Sequence, residues 1–128
     1  MSSSSNWKIH DLGASRKGLH HWWMQRITAL ALMPLSAWLV FSLAGLPDPG
    51  YRTLLTWVSD PLHSILLVGF LLAAYYHAML GLQTILEDYV HVEWLRFTSI
   101  IFSNLILLLL MIASIFSVLK IAFLHSFA

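Results

Sequence analysis

The chain has 128 residues, 59% of them hydrophobic and only 10% charged, with a mean hydropathy of +0.76. That composition is far from that of a soluble domain and reads as a membrane protein. A formal charge of +1, on basic residues that form no cluster, gives no reason to expect a nucleic-acid partner. The absence of cysteine excludes disulfides, thiolate nucleophiles and cysteine-held iron–sulfur clusters, and there is no glycine-rich phosphate loop or dinucleotide fingerprint. Whatever chemistry happens here needs a borrowed group.

The first segment, "MSSSSNWKIHDLGASRKGLHHWWMQR", is polar and holds no apolar run of the length a secretory signal requires. The first span is therefore expected to be an uncleaved signal-anchor. The segment is also too short, and too rich in Trp and His, for a mitochondrial presequence, which points to the bacterial inner membrane. Three stretches, 27–46, 62–86 and 97–119, carry no Asp, Glu, Lys or Arg, and each is long enough at helical rise to cross a hydrocarbon core of about 30 Å. They predict an all-α membrane protein with three transmembrane helices over 24–46, 61–88 and 96–122. The whole chain, 1–128, is read as one membrane domain, with 1–22 as its polar cytoplasmic segment.

Inside the first span, the ring of Pro34 conflicts with the carbonyl of Leu30 and is expected to bend the helix unless neighbours compensate. The connection "PDPGYRTLLTWVSDP" is bounded by two breakers and leaves room for a short interfacial helix. The second connection, "EDYVHVEWLR", is short and dense in functional side chains. In the third span, Asn104 reads as an interhelical contact worth about a kcal/mol or less. Trp22, Trp23, Trp57 and Trp94 fall near span ends, where an indole sits well at headgroup depth. Lys8, Arg16, Lys17, Arg26 and Arg96 lie on one side of the spans, against Arg52 and Lys120 on the other. The positive-inside rule then makes the N-terminus and the 88–96 loop cytoplasmic and the C-terminus periplasmic.

His77 is the ionisable residue deepest in this apolar chain. It lies 15 residues after Leu62 and 11 before Asp88, about 22 Å and 16 Å along a helix axis. An imidazole at that depth faces protein, water or a ligand rather than lipid. Helical stepping from His77 passes Gly69, Ala73 and Ala74 on one side and Gly81, Thr84 and Asp88 on the other, a stripe of mostly small residues. Two readings stand side by side. The stripe is a close helix contact across which His77 hydrogen-bonds, or it clears room for a flat macrocycle whose iron takes an axial nitrogen from His77. In the second case the other axial ligand comes from another polypeptide. His63 is 14 residues away on the same helix, about 21 Å, and His10, His20, His21, His91 and His125 lie outside the deep membrane. At the end of the second span, Tyr89 is either an interfacial anchor or a donor to a carbonyl oxygen, with Asp88 beside it able to bias that bond or relay a proton. Arg26 is either a snorkelling residue or a partner for a carboxylate or propionate.

Two motifs now carry a resemblance. A histidine, three residues, a glycine, six residues and Asp-Tyr stand here as His77, Gly81, Asp88 and Tyr89. A histidine, five residues and R-x-T-A stand as His20, Arg26, Thr28 and Ala29. With three spans, the chain resembles the smaller hydrophobic anchor subunits, the D subunits, of bacterial succinate dehydrogenase, respiratory complex II. The resemblance implies that His77 is one axial ligand of a single haem b, with the C subunit supplying the other. It implies that Tyr89 hydrogen-bonds ubiquinone and that Asp88 helps to shape that site. Arg26 and His20 would lie near haem propionates or the quinone pocket, and the adjacent His21 competes with His20 for the matching position. The flavoprotein and iron–sulfur subunits would oxidise succinate and deliver electrons, so the chain would serve an enzyme without carrying its catalytic core. The alternatives are a small proton-coupled membrane transporter, with His77 and Asp88 as relay groups, and the anchor of a quinol:fumarate reductase.

Overall fold

A computed structural model of the chain describes the backbone of residues 6–126 and the side chains of residues 16–125. Lys8 and His10, used above for orientation and as a histidine candidate, have side chains outside the described residues. Four helices follow in order: α1 (Asn6–Ala44), α2 (Tyr51–Ser59), α3 (Pro61–Tyr89) and α4 (Glu93–Ser126). Three stretches within them, Arg16–Ala44, Pro61–Tyr89 and Glu93–His125, are long and apolar enough to cross a membrane. The described chain is thus all-helical with three spans, as the charge-free runs predict.

The boundaries differ from the sequence expectation most at α1. At 39 residues it is about 58 Å long, well beyond the hydrocarbon thickness, so its polar first half continues as helix outside the apolar layer. The polar residues there hide the helix from an apolar-run criterion without breaking it. Pro34 lies inside α1, on an exposed side, and the helix runs through it without interruption. α1 ends where Gly45 and Leu46 close back on the carbonyls of Phe41 and Leu43, just before two prolines that cannot continue a helix.

α2 is the short helix for which the first connection left room. α3 then starts abruptly because Asp60 caps it. The Asp60 carboxylate accepts from the backbone N–H of Leu62 at 2.9 Å and of His63 at 3.3 Å, and Pro61 takes the first helical position, where a missing N–H costs nothing. At its other end, the N–H of Val90 bonds the carbonyl of Leu86, and only residues 90–92 separate α3 from α4. Glu93 in the first turn of α4 suits the positive end of that helix.

Among the described residues, α1 and α4 each pack on α3 and not on each other, while α2 lies against α3 and α4. The spans therefore form a row with α3 in the middle. Such a row buries little: Trp57, Leu80 and Val118 are the buried hydrophobic residues, and most large apolar side chains face outward. In a membrane this is no defect, since lipid tails or a partner helix cover that surface as well as a protein core does.

Trp57 departs from the interfacial-anchor expectation. It is 8% exposed, its indole N–H donates to Ser42 Oγ at 2.8 Å, and its ring clusters with Trp38 (centroids 5.7 Å) and His63 (4.8 Å), which also lie 5.9 Å from each other. This aromatic cluster ties α1, α2 and the start of α3 together. Trp22, Trp23 and Trp94 are exposed, as belt residues are. Asn104 makes no hydrogen bond among the described residues. It lines a small apolar hollow with Met79 and Leu108, and the polar link between α3 and α4 is instead Tyr75 Oη to Ser114 Oγ, 2.9 Å.

Candidate functional site

The centre of the site is a contact between two helices. Thr28 on α1 and His77 on α3 are 49 positions apart in sequence, and Thr28 Oγ1 lies 2.9 Å from His77 Nδ1. Thr28 is buried, 7% exposed, one of two buried polar residues among those described, and His77 is half-buried. The hydroxyl is also within reach of two carbonyls of its own helix, Met24 O at 2.8 Å and Gln25 O at 3.1 Å. Such back-bonding to the preceding turn holds the Thr rotamer in place. His77 is therefore held from one side, through Nδ1. Its other ring nitrogen, Nε2, makes no hydrogen bond among the described residues.

The small-residue stripe divides at His77. A Cβ on Gly81 would meet Gln25 Nε2 at 3.7 Å, ordinary van der Waals contact, so this end of the stripe faces α1. A Cβ on Gly69 would meet nothing within 4 Å, so the other end looks onto open space. The stripe is thus a helix contact on one side of the histidine and open on the other.

Toward the end of the bundle shared by the start of α1 and the end of α3, a cleft of about 650 Å³ opens between these helices. Arg16, Lys17, His20, His21 and Met24 line it from α1, and Tyr76, Leu80, Gln83 and Glu87 from α3. Seven residues separate His21 from Thr28, two helical turns, so His21 shares the face of α1 that meets α3. His20 is exposed, whereas His21 Nε2 is sealed and without a hydrogen-bond partner, as is Gln25 Oε1. Both histidines reach the cleft, and the less exposed one is His21.

The remaining sequence candidates are not gathered around His77. Arg26, two residues from Thr28, points to another side of α1 and is exposed, its guanidinium 5.3 Å from the centre of the Trp22 ring. Asp88 and Tyr89 are exposed in the last turn of α3, Tyr89 at 79%. Neither lines the α1–α3 cleft or the second one of about 690 Å³, which Gln83, Glu87, Glu93, Trp94, Arg96, Phe97 and Ile100 form between α3 and α4.

The site's chemistry fits one axial bond to a haem iron. A metal-ligating histidine characteristically hydrogen-bonds through one ring nitrogen and presents the other to the metal, and His77 has that arrangement. No group of three or more His, Cys, Asp or Glu side chains able to hold a bare metal ion occurs among the described residues. Thr28 is the functional candidate that residue-by-residue reading leaves without a role. It stands within R-x-T-A, but its partner lies on another helix.

Comparison with known proteins agrees with the motifs. Residues 4–124 match the family model described as the succinate dehydrogenase/fumarate reductase transmembrane subunit. The succinate dehydrogenase hydrophobic membrane anchor subunit of Rickettsia bellii (strain RML369-C) is 34% identical over 111 residues, covering 87% of this chain and 89% of that one. The protein of the same name from Rickettsia conorii (strain ATCC VR-613 / Malish 7) is 30% identical, covering 83% and 85%. The succinate dehydrogenase membrane anchor subunit of Reclinomonas americana is 32% identical over 90 residues, covering 67% and 74%.

Proposed function

The chain belongs to the succinate dehydrogenase/fumarate reductase transmembrane subunit family, as a membrane anchor subunit of succinate dehydrogenase, and from that premise we propose that it shares one haem b with a second anchor subunit and helps to form the ubiquinone-reduction site. It is a multi-pass inner-membrane protein of bacterial type. The observation that carries the haem reading is His77 itself, fixed in mid-span through Nδ1 with Nε2 left without a partner among the described residues.

In this reading His77 would hold the haem iron together with an imidazole from the C subunit. Haem b, when bound, supplies a one-electron store between the two anchors. Tyr89, with an exposed phenol at the end of α3, donates a hydrogen bond to a ubiquinone carbonyl, and Asp88 beside it biases that bond or passes a proton. The walls of the quinone pocket then come largely from partner chains, which accords with how open this end of α3 is. Arg26 meets a haem propionate or the quinone site, and His20, at the mouth of the α1–α3 cleft, lies in the propionate vicinity. The N-terminus and the 88–96 loop are cytoplasmic, so that protons for quinone reduction need not cross the bilayer. Succinate oxidation takes place on the flavoprotein subunit, and electrons arrive through the iron–sulfur subunit.

The test is the dithionite-reduced minus oxidised optical spectrum of the purified complex. Native complex is expected to give a low-spin b-type signal that His77→Ala abolishes or converts to another ligation state. An unchanged signal in His77→Ala removes this residue from ligation.

A further inference from the structure

We propose that Thr28 is the positioning residue for His77, its hydroxyl accepting the Nδ1 proton from across the α1–α3 contact and so fixing the imidazole tautomer whose Nε2 lone pair is free for iron. This rests on the reading of His77 as a haem ligand and adds to it a residue on a different helix.

The assignment follows from counting protons. Thr28 Oγ1 has three polar neighbours, Met24 O at 2.8 Å, Gln25 O at 3.1 Å and His77 Nδ1 at 2.9 Å, and one hydrogen to give. Carbonyl oxygens only accept. If the hydroxyl donated to Nδ1, Oγ1 would face Met24 O at 2.8 Å with lone pairs on both atoms, at a residue 7% exposed and so poorly placed for water to intervene. If instead the hydroxyl donates to a carbonyl of its own helix, Nδ1 has to bring the second proton and every atom is served. A neutral imidazole carries one N–H, so a proton on Nδ1 leaves Nε2 bare.

Two consequences follow for the ligand. The ring is held in its plane by a bond whose acceptor cannot rotate freely, because back-bonding to the preceding turn fixes the Thr rotamer. A hydroxyl that is already donating is also a better acceptor, so the chain from His77 through Thr28 to the α1 carbonyl strengthens link by link. A hydrogen bond of this kind to the far nitrogen raises the basicity of the ligating one. Haem binding on α3 thereby depends on α1 being docked.

The test uses the whole complex with Thr28→Val, Thr28→Ser and His77→Ala. Valine keeps the shape and removes the acceptor, and serine keeps the acceptor. Loss of an outer-shell partner of a metal ligand typically weakens binding about 10- to 100-fold. Haem is therefore expected to leave Thr28→Val to excess apomyoglobin faster by that order, with a shifted low-spin spectrum, while Thr28→Ser stays close to native on both readouts. A purely structural threonine would lower the thermal stability of the Val complex and leave the haem spectrum where it was, and that result overturns the proposal. So does a Thr28→Ser complex as deficient as Thr28→Val. Should Thr28→Val fail to assemble, NMR of nitrogen-15 histidine-labelled native complex, reduced and diamagnetic, reads the same bond directly: the Nδ1 proton of His77 is expected to be shifted downfield and slow to exchange as a hydrogen-bonded donor, and an Nδ1 proton that behaves as an unbonded N–H refutes the assignment. A b-type spectrum that survives His77→Ala defeats the ligand reading itself, an outcome the Thr28 series cannot imitate.

Discussion

Replacing Tyr89 by Phe removes one oxygen from a residue that supports almost nothing in the fold. Its side chain is 79% exposed and its hydroxyl makes no hydrogen bond among the described residues. The substitution should therefore change stability by no more than about 0.5 kcal/mol, as at other surface positions away from packed features. Whatever function is lost is then lost at the ligand. A hydrogen bond to a neutral carbonyl is worth about 0.5–1.5 kcal/mol, or about 2- to 13-fold in rate, and one to an oxygen that acquires charge about 1.5–3 kcal/mol, or about 13- to 160-fold. Steady-state succinate oxidation is measured twice on the same preparation, once with a soluble ubiquinone analogue as acceptor and once with an artificial dye that takes electrons from the soluble subunits. The quinone rate is expected to fall within that range while the dye rate holds. Equal rates in both assays for mutant and native complex would refute the quinone role, and a parallel fall in both would mean that the mutation disturbs assembly, against the structural argument.

Two further predictions concern the frame that holds the site. Ser42→Ala strands the indole N–H of Trp57, 8% exposed, and is expected to destabilise the complex by about 1–3 kcal/mol, seen as a lower midpoint in thermal unfolding in detergent; an unchanged midpoint would mean that the 2.8 Å bond contributes nothing net. Asp60→Ala removes the cap of α3 at a cost of about 0.5–2 kcal/mol in the same assay, and Asp60→Asn, which caps equally well, is expected to restore most of it.

The spans were legible because charge is so costly in hydrocarbon that its absence over twenty residues leaves few alternatives, and His77 stood out for the same reason. The Asp-Pro before α3 was legible as a breaker, and the structure adds that Asp60 caps the helix it opens. What could not be read were relations between helices. Thr28 and His77 meet only because α1 and α3 adopt one particular mutual rotation, and nothing local to either residue encodes it. The same holds for Tyr75 with Ser114, where the sequence drew attention to Asn104, and for Trp57, whose position near a span end suggested an anchor but whose face of α2 turns inward. The first half of α1 is hidden for a different reason: a helix outside the membrane need not be apolar, so an absence of charge does not mark it.

The row arrangement bears on why, on the proposed reading, a second anchor subunit would be needed. On that reading a haem held between two imidazoles would need one nitrogen from each of two chains, and His77 would be this chain's. The other histidine on α3, His63, is already committed: its ring stacks on Trp57 at 4.8 Å and its Nδ1 lies 3.1 Å from the Trp57 carbonyl and 3.7 Å from the Asp60 carboxylate. At 14 residues, about 21 Å along the axis, it is also far outside the reach of an iron bound at His77. Because α1 and α4 each cover one flank of α3 without meeting, the central helix keeps an uncovered side, and Gly69, where an added Cβ would touch nothing, opens onto such a surface. A helix from another subunit can approach there closely enough to present its own imidazole, so on the proposed reading the haem occupies the interface between the anchors and its loss and their separation are coupled.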